Sequence, residues 1–147
     1  MNDLITNKVT SIRRCIQRVR TAYIRISSLP FAEDYDKQDI VTLNLLRACE
    51  QAIDLANHII KIQSLGMPQS SRESFRLLAE HKVISSKLAE SLGNMTSFRN
   101  IALHRYQQLS LSVIENIIAG HLDDFEAFIQ AILGQPSLFE DDSQETE

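Results

Sequence analysis

The chain has no tryptophan, only four glycines and three prolines. That leaves few of the turn residues that a β-sandwich or barrel uses about every 8–12 positions. No apolar run approaches the ~20 residues of a membrane-spanning helix, so no membrane association is expected. The opening segment MNDLITNKVTSIRRC has no uninterrupted apolar stretch after its charges, which argues against a secretory signal and for a cytoplasmic protein. Cysteine is scarce as well. Cys15 and Cys49 stand alone, without CxxC or Cys/His spacing, and read as small apolar helix residues rather than metal ligands or a disulfide. Also missing are G-x-S-x-G, a P-loop, H-E-x-x-H and a paired-carboxylate helix motif. Neither a metal nor a cofactor is expected.

What remains is helical periodicity over 147 residues, enough for one domain with its own core. Over about residues 3–28, Leu4/Ile5, Val9, Ile12, Ile16, Val19, Tyr23 and Ile26 recur in steps of three and four, making one apolar stripe. A second helix is expected from about Asp36, as its cap, to Leu65, with Ile40, Leu43, Leu46, Ile53, Ala56 and Ile60 inward and Gly66 and Pro68 as its stop. A third helical region, 70–93, opens on the capping-box spacing of Ser70 and Glu73 and closes at Gly93, with a break foreseen at His81-Lys82. A short helix, NMTSFRNIALHRYQQL, follows, and then a last long one, LSLSVIENIIAGHLDDFEAFIQAILG. The expected fold is all-α, a bundle of four long helices plus a short motif-bearing helix over 1–134, with an acidic disordered tail over 135–147.

The net charge of −4 conceals an asymmetry. The final EDDSQETE holds five acids and no base; without it, 15 Lys and Arg face 14 acids. Lys8, Arg13, Arg14, Arg18, Arg20 and Arg25 all fall in a stretch with no acid between Leu4 and Ala32. Such a basic helix reads as a nucleic-acid footprint, as a solvated face, or as a surface that docks an acidic partner.

His58, His81 and His121 are scattered, and Asp123-Asp124 reads as solvated. The segment Arg99-Asn100-Ile101-Ala102-Leu103-His104-Arg105-Tyr106 is different: a permanent cation, an amide, an imidazole and a phenol lie within eight residues. These groups suit RNA cleavage without a metal. A ribose 2′-OH loses a proton as it attacks the neighbouring phosphate, negative charge builds on the phosphorane, and the 5′-oxygen leaves protonated. Histidine titrates near working pH and serves the proton transfers. The arginine fork binds two phosphate oxygens and stays charged. On a helix, Asn100 and His104 share a face, whereas Arg99 and His104 stand about 140° apart. They meet on one phosphate if the helix ends or bends near His104, or if a second subunit completes the site. Arg105 is a further candidate phosphate contact, and Asp54 and Asn57 could support the motif from the second helix.

Arg99-(four residues)-His104-x-Tyr106 resembles the R-x4-H-x-Y motif of HEPN-superfamily toxins of the HepT type, and LLRACEQAIDLANHIIK resembles that family's second helix. The resemblance spans about residues 1–134. It implies a metal-independent endoribonuclease toxin of a type II/VII-like toxin–antitoxin system, a homodimer whose two motifs line one cleft. Arg99 and His104 would be catalytic and Asn100 supporting. It further implies a minimal nucleotidyltransferase antitoxin that silences the toxin by attaching AMP to Tyr106. Two other readings keep the same fold: a non-catalytic HEPN module that binds nucleotide or RNA, and a helical dimerisation adaptor in which Arg99 and His104 are incidental.

Overall fold

The structure is a computed structural model that describes residues 3–104 and 111–139, with side chains left undescribed at Ser97 and from Asn100 to His104. Six α-helices and one 3-10 turn account for the regular structure among the described residues: α1 Asp3–Ile24, α2 Tyr35–Ile62, α3 Ser71–Glu80, α4 Ser86–His104, α5 Leu111–Gly120 and α6 Leu122–Leu133, then the turn Pro136–Leu138. The all-helical expectation is borne out. The helices are more numerous than expected because two of the long regions break.

α1 and α2 pack along much of their length, α3 and α4 form a second pair against α2, and α6 closes on α1 and α4. The stripe of α1 is buried from Ile5 through Val9, Ile12 and Ile16 to Val19, but Leu4 is exposed. The helix ends at Ile24 rather than near residue 28, and Ile26, expected on the stripe, is 98% exposed beyond that end. Phe75 of α3 meets Phe128 of α6 edge-on at 5.7 Å between ring centroids, a favoured aromatic geometry that joins the two halves of the bundle. Ile53, Ala56 and Ile60 of α2 point inward, but Ile40 and Leu43 do not; they are 36% and 45% exposed. The first turns of α2 instead bury Val41 and Leu45.

Helix ends follow local chemistry. The cap of α2 is Asp34, not Asp36: its carboxylate accepts from the Lys37 amide at 3.0 Å. Ser70 caps α3 by accepting from the Glu73 amide at 3.1 Å, at the spacing read from sequence. The expected break falls at Lys82, whose φ of 61° is left-handed. The Val83 amide reaches the Leu78 carbonyl (2.9 Å) and the Lys82 amide the Ala79 carbonyl (3.0 Å), a Schellman ending. Ser64, at φ 53°, ends α2 in the same way. A lysine in this conformation carries strain that glycine avoids. Lys82→Gly should therefore stabilise the fold by about 1 kcal/mol, raising Tm by roughly 3 °C; an unchanged or lower Tm in a thermal melt would contradict that account.

Gly93 does not stop a helix. It lies inside α4, and a Cβ there would come within 3.2 Å of the Arg72 side chain on α3. The glycine is a point of close approach between two helices, which outweighs its poor helix propensity. Positions 99–104 of the motif therefore fall at the end of a 19-residue helix rather than on a short one of their own. The last long helix breaks after Gly120, where His121 places Nδ1 2.8 Å from Asp124 Oδ2. Packing continues beyond residue 134: Pro136 opens the 3-10 turn, Leu138 is buried, and Ser137 Oγ accepts from Gln63 at 3.0 Å. Residues 140–147 of the acidic tail lie outside the described residues.

Candidate functional site

Ser85 starts α4 by accepting from the Leu88 amide at 3.1 Å. From there Leu92, Met95 and Phe98 recur on the buried face and clamp the helix to the core. Arg99, the next residue, lies at the rim with its side chain 30% exposed. Its Nη2 lies 3.5 Å from Glu50 Oε1 on α2. One residue before Glu50, Cys49 is buried and its thiol donates to the Met95 carbonyl at 3.7 Å. Burial pushes this thiol up to about 12, against the opposing pull of the Arg99 charge, so it stays protonated and is no nucleophile.

Glu50 is the site residue that sequence reasoning missed. Asp54 and Asn57, the polar residues singled out on this helix, have other tasks. Asp54 pairs with Lys8 of α1 at 3.2 Å, and Asn57 Oδ1 accepts from Ser74 Oγ of α3 at 2.6 Å. The carboxylate that reaches Arg99 lies one turn earlier. Only the register of α2 against α4 reveals it.

The backbone is helical from Arg99 through His104. Five residues of α-helix separate these positions by about 140° around the axis and about 7.5 Å along it. The helix runs unbroken between them. Positions 100 and 104 are one turn apart, as expected; the side chains of Asn100 and His104 lie outside the described residues, as do Arg105 and Tyr106 entirely.

The other histidines have structural settings. His58 is half-buried on α2, its pKa pushed down by burial and then by Lys61; His81 is the C-cap of α3. Asp123 and Asp124 are not merely solvated: Asp123 pairs with Arg20 at 2.7 Å, and Asp124 faces His121. Arg13 grips Glu126 with two bonds of 3.0 and 2.7 Å, which holds that carboxyl below its ordinary range. Three of the six bases on the first segment are thus occupied by acids of α2 and α6. Among the described residues, no three of His, Cys, Asp and Glu gather as a metal set, and no helix is long and apolar enough to cross a membrane.

Comparison with known proteins adds a family. The chain is 48% identical over 132 residues to an mRNA nuclease HepT of Shewanella oneidensis, covering 90% of this chain and 98% of that one. It is 24% identical over 97 residues to a tRNA nuclease HepT of Aphanizomenon flos-aquae, covering 65% and 66% of the two chains. It superposes with a TM-score of 0.85 on a solved structure of the tri-AMPylated Shewanella oneidensis HEPN toxin in complex with its MNT antitoxin, at 47% identity, covering 92% of this chain and all of that one. The family profile "Ribonuclease HepT-like" matches residues 12–132, α1 to the end of α6 save the first turns of α1. With Arg99 to Tyr106 inside that span, this protein belongs to the HepT-like ribonuclease family.

Proposed function

We propose that the protein is the endoribonuclease toxin of a toxin–antitoxin pair, acting in the cytoplasm and cutting RNA without a metal. The carrying observation is Arg99 at the rim of α4, anchored by buried Phe98 and oriented by Glu50, with His104 on the same helical run. Glu50 fixes the guanidinium and partly offsets its charge; a substrate phosphate arriving there exchanges one anion for a more demanding one. Arg99 then stabilises the charge that builds on the phosphorane, and His104 carries the proton of the attacking 2′-OH or of the leaving 5′-oxygen. Asn100, one turn from His104, orients the imidazole.

The angular separation of Arg99 and His104 favours a homodimer with the two motifs at one cleft. Ile40 and Leu43, exposed on α2 about two to three turns before Glu50, supply apolar surface for such a contact. Light scattering at tens of micromolar should give twice the chain mass; a monomer would contradict the shared cleft. The related toxin bound to an MNT antitoxin supports a nucleotidyltransferase as partner here. The activity is tested by incubating the protein in EDTA with a single-stranded RNA and with the DNA of the same sequence. RNA should be cut and DNA left whole; binding of RNA without cleavage would favour a non-catalytic module.

A further inference from the structure

The ion pairs of α1 leave a residue of charge in one place. Lys8, Arg13 and Arg20 are engaged by Asp54, Glu126 and Asp123, whereas Arg14, Arg18 and Arg47 are exposed and have no acidic partner within ion-pair distance among the described residues. These three line one groove of about 430 Å³ between α1 and α2. Their charges all act on Cys15 in its wall, although burial outweighs them and raises that thiol. Asn44, 4% exposed, forms another part of the wall. Its amide nitrogen is spent on the Ile40 carbonyl at 2.8 Å, and its buried Oδ1 has no donor among the described residues. Glu50, the residue that touches Arg99, closes the groove at one end.

Three like charges held together with no carboxylate among the described residues within ion-pair distance favour a visiting anion, and an orphaned buried acceptor asks for a donor. We propose that this groove binds the backbone of single-stranded RNA next to the cut, with Arg14, Arg18 and Arg47 on flanking phosphates. The ribose hydroxyls and base N–H groups of the same strand supply donors for Asn44, and the strand passes over Glu50 to reach Arg99. An acidic protein segment would satisfy the arginines but carries no reason to continue to the motif. This rests on the ribonuclease reading above.

The test uses His104→Ala protein, which should hold RNA without cutting it, and fluorescence anisotropy across a salt series. Adding Arg14→Gln, Arg18→Gln and Arg47→Gln together should weaken binding and flatten the slope of log K against log salt by about 2, since each phosphate contact on a single strand contributes about 0.7. Arg20→Gln, which removes a guanidinium already paired with Asp123, should leave the slope in place. With His104 restored, the triple variant should raise KM for RNA ~10-fold and keep kcat. The triple Arg→Lys variant, which keeps the charge, should keep the slope even if the glutamine variant folds poorly. An unchanged slope and KM in the glutamine variant would overturn the proposal. So would intact RNA binding with loss of the nucleotidyltransferase complex, which assigns the groove to a protein. If the wild type cuts no RNA, the ribonuclease reading fails, yet the salt slope still decides the groove.

Discussion

His104→Ala should abolish RNA cleavage, and Arg99→Ala should lower kcat/KM by roughly 10²–10³, the scale of one lost electrostatic contact to a transition state. The two losses differ in kind. Without the imidazole, no group of suitable pKa remains in the motif to accept or return the proton. Without the guanidinium, proton transfer survives but the phosphorane charge goes unmet. Arg99→Lys should recover only part of the rate, because an ammonium keeps the charge but not the two-pronged grip. Fold loss is a poor rival explanation for Arg99→Ala. The ion pair with Glu50 that it breaks is 3.5 Å long between side chains 30% and 41% exposed, and such a pair contributes little to stability. Buried Phe98 and Met95 keep α4 in place without it. Single-turnover cleavage with a circular dichroism melt separates the two effects; full activity in the His104 variant would refute the assigned chemistry.

Co-expression with an MNT nucleotidyltransferase, the kind of partner bound to the related toxin, should silence cleavage through Tyr106. The related toxin in the solved complex is tri-AMPylated. Tyr106 lies two residues beyond His104, in the position of the motif tyrosine. AMP attached to its hydroxyl would add a bulky group and a negative phosphate two residues from His104 in the motif. Steric exclusion and partial neutralisation of Arg99 would both oppose substrate, so the modified protein should stay folded yet bind RNA poorly. Intact-mass spectrometry should show one or more added AMP masses on the wild type and none on Tyr106→Phe, which keeps the ring and most of the cleavage. Equal added mass on both proteins, or none on either, would rule out this control.

Much of the fold was legible because helices announce their buried face locally. The 3- and 4-residue steps of Ile5 to Val19 and the Ser70 cap needed no tertiary knowledge. The misreadings of Gly93 and of the inward face of α2 share one cause, the relative placement of helices. Gly93 looks like a stop until Arg72 is known to press against it. Ile40 and Leu43 look like core until the crossing of α1 and α2 selects Val41 and Leu45. The same limit holds at the site. Arg99 and His104 were legible as a motif on one strand of text, whereas Glu50 and the groove of Arg14, Arg18 and Arg47 are assembled from two or three helices and have no linear signature. The first-helix bases also looked alike in sequence, yet acids on α2 and α6 divide them into paired and unpaired.

The most direct test of metal-free 2′-OH attack is the chemical nature of the ends left by the cut. Wild-type protein in EDTA should release fragments ending in a 2′,3′-cyclic phosphate and beginning with a 5′-hydroxyl, and a single 2′-deoxy substitution at the cut should block it. Cleavage that requires added Mg²⁺, or that leaves a 5′-phosphate and a free 3′-hydroxyl, would contradict the account.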